Sequence, residues 1–247
     1  PITTVNILDD GDLGTLEFKN ETFIIGEKNS ENSTWQIPVS RVGRKRFSGA
    51  ISVDYASRPK SASERLDYIP VSDTLSFPAG IETNEFTFNI TVMHDNLYEF
   101  PDEEIEIELS NIRYNGLPLG TLGFQNSTTL VIKDDGDAGT VQFSKGNFPY
   151  AEGNRSDVTI TVTRVGRDVP DGNISIDYYL TDGTAKKDAG DYQTTSGQLR
   201  FDTGEKVKTF NVTIFQDQLY EYPDETIEVR LQNVQYNTQT CEIIVIL

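Results

Sequence analysis

Two aspartate pairs in matching surroundings, Asp9-Asp10 and Asp134-Asp135, are the residues of this chain best placed to do chemistry. Each opens the pattern DDGD-x-GT-x-x-F, as DDGDLGTLEF from Asp9 and DDGDAGTVQF from Asp134. Two carboxylates about 5 Å apart repel by roughly 3 kcal/mol at an effective dielectric near 20, and the penalty grows with each further acid. Such clusters call for cations. Catalysis finds little to work with, because the chain has one histidine, His94, and one cysteine, Cys241. The second copy carries Gln216 where the first has His94, so a Ser-His or Cys-His pair has nothing repeated to build on. His94 is expected to be incidental and Cys241 a small buried hydrophobe. The chain is not expected to be an enzyme.

The text after each acidic motif repeats as well. Arg41-Val42-Gly43-Arg44 answers Arg164-Val165-Gly166-Arg167, Ile51-Ser52-Val53-Asp54-Tyr55 answers Ile174-Ser175-Ile176-Asp177-Tyr178, and DNLYEFPDEEIEIELSNI from Asp95 answers DQLYEYPDETIEVRLQNV from Asp217. This period is far longer than the roughly 20–50 residues of a solenoid unit, so each copy is a domain with its own core. The expected division is a tail of a preceding repeat at 1–13, a first domain with its acidic linker at 14–137, and a second domain at 138–247. The whole reads as a piece of a longer array.

Within each copy the hydrophobic period is two. Glu104-Ile105-Glu106-Ile107-Glu108-Leu109 alternates strictly, as do Val158, Ile160 and Val162 with threonines between them, which places one set of side chains inward and the other in water. Short strands separated by Gly, Asp and Pro turns predict about seven strands per copy and an all-β chain of two tandem Ig-like antiparallel β-sandwiches. The single Trp35 and most tyrosines are expected in the core.

Tyr150-Ala151-Glu152-Gly153, Asp182-Gly183-Thr184-Ala185, Gly190-Asp191-Tyr192, the run from Gly197 to Glu205, and Asp224-Glu225 follow one another in an order that closely resembles the Calx-beta domain family. The resemblance spans nearly all of both copies. It weakens where the first copy reads Ser57-Arg58-Pro59-Lys60-Ser61-Ala62-Ser63 in place of DGTA, and where His94, Asn96, Gln216 and Gln218 interrupt the family's acidic run. It implies a Ca2+ site at one end of each sandwich. In the first copy the matching positions are Glu27, Asp67, Asp95, Glu99 and Glu103 with Asp134 and Asp135; in the second they are Glu152, Asp191, Asp217, Glu221 and Glu225. Calcium takes about 6–8 oxygen ligands, which convergent acidic loops can supply. Because Asp134 and Asp135 belong to the linker, ion binding is expected to stiffen the junction between domains.

Seven N-x-S/T sequons, at Asn20, Asn32, Asn89, Asn126, Asn154, Asn173 and Asn211, point to N-glycosylation and an extracellular, secreted or cell-surface place. Asn89 and Asn211 are equivalent in the repeat and fall on the polar face of their strands. A net charge of -18 and a pI near 4.4 exclude nucleic acid as a partner, and no apolar run of about 20 residues suggests direct membrane insertion. These features favour a calcium-binding, glycan-bearing adhesion or matrix scaffold. Within the family it is most similar to the core proteins of sponge aggregation factors, with large adhesion receptors and Fras/Frem basement-membrane proteins as competitors. Its expected partners are glycans or other adhesion molecules and neighbouring repeats of the same chain. The alternative is the calcium-sensing Calx-beta pair of a sodium–calcium exchanger-like transporter, which faces the cytosol, where sequons are not used.

Overall fold

The computed structural model describes every residue except 1, 7–12, 29, 44–48, 81–82, 152–155, 167–169, 194–195, 217–221, 238, 241–244 and 247. Among the described residues all regular structure is strand, as the period-two pattern predicts. The chain divides into two compact units, one of residues 1–95 and 99–135, the other of 96–98 and 136–247. Among the described residues no helix is long and apolar enough to cross a membrane.

The first unit contains β1 (Thr15–Phe18), β2 (Thr22–Gly26), β3 (Ser33–Val42), β4 (Ile51–Pro59), β5 (Tyr68–Ile69), β6 (Ser72–Phe77), β7 (Glu85–Val92), β8 (Glu103–Tyr114), β9 (Thr121–Leu122) and β10 (Ser127–Lys133). One sheet runs β5-β7-β3-β1-β9 and the other β2-β10-β8-β4-β6. Their inner faces share one core, in which Leu16, Phe18, Ile37, Val39, Ile105, Ile107, Leu130 and Ile132 are buried. Strand β8 shows how the pattern works: Ile105, Ile107 and Leu109 point inward, while Glu104 reaches Lys60 at 2.6 Å and Glu108 reaches Arg58 at 2.5 Å on the outside. Across the gap Tyr55 of β4 stacks on Phe88 of β7, with ring centroids 4.1 Å apart.

The second unit contains β11 (Thr140–Phe143), β12 (Ser156–Val165), β13 (Ile174–Asp182), β14 (Ser196–Phe201), β15 (Val207–Ile214), β16 (Ile227–Tyr236), β17 (Gln239–Thr240) and β18 (Val245–Ile246). Its sheets run β15-β12-β11-β18 and β14-β13-β16-β17. Tyr178 of β13 stacks on Phe210 of β15 at 3.8 Å, repeating the Tyr55–Phe88 contact. The strand count exceeds the expected seven because short pairings such as β5 and β9 carry no periodic signal.

Two local devices recur in both sandwiches. The register slips between Ser52 and Asp54 and again between Ser175 and Asp177. At each slip an asparagine takes a left-handed backbone, Asn111 at φ 47° and Asn233 at φ 55°. Each donates its side-chain amide to the bulge aspartate, at 3.0 Å to Asp54 and 3.1 Å to Asp177. Asparagine tolerates this region better than most residues and can bond locally within it. The loop that departs from DGTA keeps the second copy's connection nonetheless: Ala62 donates its N–H to the Glu104 carbonyl at 3.1 Å, as Ala185 does to that of Thr226, also at 3.1 Å.

Candidate metal centre

Strand register brings several of the acidic residues of the first unit to one end. In the parallel pair β2–β10, Gly26 lies opposite Lys133, so Glu27 and Asp134 leave the sheet side by side. In the antiparallel pair β10–β8, Ile132 faces Glu103, which adds a third acid to the same rim. On the facing sheet Tyr68 pairs with Val92, and the Met93 N–H donates to the Asp67 carbonyl at 2.8 Å. That pairing sets Asp67 beside the segment carrying His94 and Asp95. Glu99 is tied in from the following loop, its N–H donating to Asp134 Oδ2 at 3.2 Å.

Within the first unit taken by itself, the side chains converge into two sets. One oxygen each from Asp67, Asp95 and Glu99 lie within 4.8 Å of one another, and the same holds for Glu27, Asp135 and a ring nitrogen of His94. Asp67 is only 6% exposed and is positioned by the Ser63 N–H, which donates to its Oδ2 at 2.5 Å. Asp102 is drawn aside, its carboxylate bonded to Lys133.

Burial and crowding act together on these carboxyls. Burial, then the charges of Glu99, Asp95, Asp134 and Asp135, push Glu27 up to about 9. Glu103 rises to about 8 through burial and its contact with Asp67. Glu99 rises to about 7, chiefly through burial and the charges of Asp67, Asp95 and Asp134, with the nearness of Glu27 offsetting part of the rise. Among the described residues no donor reaches either buried oxygen of Glu27 or Oε2 of Glu103. Buried acceptors of this kind are rarely left without a partner, and a divalent cation satisfies several at once. The donor set fits Ca2+, with carboxylate oxygens dominating and loops on several sides.

The sequence expectation for the first copy thus falls on residues that lie together. The second copy is less fully in view, since Glu152, Asp217 and Glu221 fall outside the described residues. Asp191 accepts the Lys186 N–H at 2.6 Å, Glu225 is exposed, and no three-ligand set forms among the described residues of this unit alone.

Two expectations change on inspection, and one repeated pair of residues gains a role. His94, read as incidental because Gln216 replaces it, lies within ligand range of Glu27 and Asp135, because the chain turns into the cluster directly after β7. Trp35, expected in the core, is 37% exposed. Its indole N–H donates to the Gly26 carbonyl and to Ser33 Oγ, both at 3.0 Å, which ties the ring to the end of β2. The repeated Arg41 and Arg164 had no assigned role, yet both are buried. Arg41 donates to the carbonyls of Leu13 and Gly49, and Arg164 to those of Ala138 and Gly172. Cys241 and Asn154 lie outside the described residues.

The Calx-beta domain family model matches residues 9–136 and 134–246. Sodium/calcium exchanger 1 of Rattus norvegicus is 27% identical over 188 residues, covering 71% of this chain and 19% of the exchanger. Sodium/calcium exchanger 3 of Homo sapiens is 28% identical over 192 residues, covering 71% and 20%. The chain therefore spans about a fifth of the length of these relatives. Among solved structures, CBD12 from CALX1.2 superposes with a TM-score of 0.51 at 24% identity, covering 92% of this chain and 83% of that one, which supports the fold.

These matches correct the expected location. An extracellular, secreted or cell-surface place rested on the sequons, and it is overturned because the relatives found are sodium/calcium exchangers, the alternative for which the sequence reading expects a Calx-beta pair facing the cytosol. The described sequon asparagines, Asn20, Asn32, Asn89, Asn126, Asn173 and Asn211, are all exposed, but exposure is common to surface asparagines and does not place a chain in the secretory pathway. Asn211 accepts from Thr159 at 3.1 Å and Asn173 from the Thr203 N–H at 3.3 Å, ordinary structural roles. The resemblance to sponge aggregation factors and the adhesion partners gain nothing from these matches.

Proposed function

The chain belongs to the Calx-beta family, and we propose that it is a calcium-responsive regulatory pair within a larger protein of the sodium/calcium exchanger type. The observation that carries this reading is the convergence of Glu27, Asp67, Asp95, Glu99, Glu103, Asp134 and Asp135 at one end of the first sandwich, with buried Glu27 oxygens that no donor among the described residues reaches. Without an ion these carboxylates repel and hold protons; with Ca2+ they become its oxygen ligands. The role is binding and regulation rather than turnover.

Asp134 and Asp135 are the last residues of the first unit. An ion held there fixes the backbone immediately before the second unit begins, which gives calcium a mechanical consequence for the chain as a whole. The second copy is proposed to bind more weakly through Glu152, Asp191, Asp217, Glu221 and Glu225, because its acidic loop is already partnered: the Tyr192 hydroxyl, then the Lys187 N–H and the charges of Lys186 and Lys187, lower the Asp182 carboxyl.

Calorimetric titration of the full chain with Ca2+, paired with thermal melts, tests the reading. Saturation at 100 times Kd raises stability by about 2.7 kcal/mol, and Glu99→Gln reduces that gain. Small-angle scattering with calcium and with chelator reads the consequence for the chain. An unchanged melt at millimolar calcium, or glycans on Asn89 and Asn211 of protein isolated from its native source, would overturn the proposal.

A further inference from the structure

We propose that His94, Glu27 and Asp135 form a position for a first-row transition ion, with Zn2+ as its probe, beside the oxygen-only set of Asp67, Asp95 and Glu99. A ring nitrogen of His94 and one oxygen each from Glu27 and Asp135 lie within 4.8 Å of one another. The Nδ1 atom of His94 is buried and has no hydrogen-bond partner among the described residues, and neither has Oε1 or Oε2 of Glu27. The backbone is not free to carry the imidazole away, because the His94 N–H donates to Asn32 Oδ1 at 2.9 Å.

The donor chemistry separates the two sets. Calcium takes oxygen ligands, whereas imidazole nitrogen suits zinc, copper, nickel and iron. Three protein ligands with water completing the shell is a familiar zinc arrangement, with bonds of about 2.0–2.2 Å, so side-chain rotation suffices to close the set around an ion. Occupation by zinc withdraws Glu27 and Asp135 from calcium, making the two ions antagonists at this end of the sandwich. The inference rests on the calcium reading only in sharing those two carboxylates. It is confined to the first copy, since Gln216 stands at the second copy's equivalent position.

Because His94 is the single histidine, its imidazole 15N signals report on one site without assignment ambiguity. The experiment titrates the full chain with Zn2+ alone, with Ca2+ alone, and with Zn2+ after Ca2+, following the imidazole signals and the heat. One equivalent of Zn2+ is expected to shift the imidazole nitrogens. His94→Gln, the residue the second copy carries, is expected to weaken zinc by about tenfold or more while leaving the calcium isotherm unchanged. Imidazole signals that stay in place under stoichiometric Zn2+, or equal zinc affinity in the variant, would overturn the inference. Zinc failure with calcium binding intact removes only this inference, whereas loss of calcium binding with the zinc shift retained removes only the calcium reading. Should His94→Gln melt like an unfolded chain, zinc titration of the intact protein still decides through the imidazole signals.

Discussion

Trp35 donates its indole N–H to the carbonyl of Gly26, 3.0 Å away and one residue before Glu27. Gly26 in turn lies opposite Lys133, the residue before Asp134. The chain's single tryptophan is therefore attached to the strand that delivers one ligand and neighbours the strand that delivers another. Calcium titration is expected to change Trp35 emission, with the midpoint at the same ion concentration as the calorimetric isotherm. Trp35→Phe should abolish the optical change and keep the heat. A flat emission through a calorimetric transition would break the link between Gly26 and the ligands.

The raised carboxyls make stability depend on pH in opposite senses with and without the ion. Glu27, Glu99 and Glu103 sit at about 9, 7 and 8 in the ion-free fold, against an ordinary value of 4.5. The folded state then holds protons that the unfolded chain has shed, so stability in chelator is greatest near the ordinary value and falls as pH rises through 7 to 9. Calcium binding must expel those protons. At pH 7 roughly two are expected per binding event, and affinity should climb as pH rises. Calorimetry in buffers of different ionisation heat measures the release directly. Buffer-independent heats, together with a chelated protein whose melting point rises between pH 6 and 9, would contradict the assignment.

Much of this was legible in the residues, for identifiable reasons. The alternation around Ile105 and Ile107 gave strands because burial on one face leaves a period of two, and duplication gave two domains because each acidic motif restarted the same sequence. The acids of the first copy could be named because the resemblance to the Calx-beta family marks those positions, and the fold brings oxygens of several of them within 4.8 Å of one another. His94 could not, since its role depends on where the chain turns after β7, and a comparison with Gln216 argues against it. Arg41 and Arg164 were visible as a repeated Arg-Val-Gly-Arg, but their partners are backbone carbonyls, which leave no mark in a sequence. The sequons misled because the N-x-S/T pattern records what an enzyme of the secretory pathway could modify, independent of whether the chain meets it.

Asp134 offers a way to separate charge from geometry. Its Oδ2 accepts the Glu99 N–H at 3.2 Å, a bond that the amide oxygen of asparagine can also accept, while its charge helps raise both Glu27 and Glu99. Asp134→Asn should therefore keep the loop in place and relieve repulsion. In chelator the variant is expected to be more stable than the parent by about 1–3 kcal/mol, and the stabilisation by calcium should shrink. Lower stability in chelator would mean that the loop, not the charge, was lost.

Arg164 carries a prediction about the scaffold itself. It is 1% exposed, and its guanidinium donates to the carbonyls of Ala138 at 2.7 Å and Gly172 at 2.9 Å, with a further bond to that of Asp171. Burial holds its pKa below the usual arginine range, yet the neighbouring acceptors keep the charge satisfied. Arg164→Met supplies similar apolar volume but leaves these carbonyls without donors, each costing about 1–3 kcal/mol when buried. A total loss of about 3–5 kcal/mol is expected in the urea-unfolding free energy of the second unit. Arg200→Met is the control, because Arg200 is exposed and its Nε donates only to Gln198 Oε1 at 3.0 Å; it should change stability by less than about 0.5 kcal/mol. Equal urea midpoints for the two variants would show that the carbonyls find water as readily as they found the guanidinium.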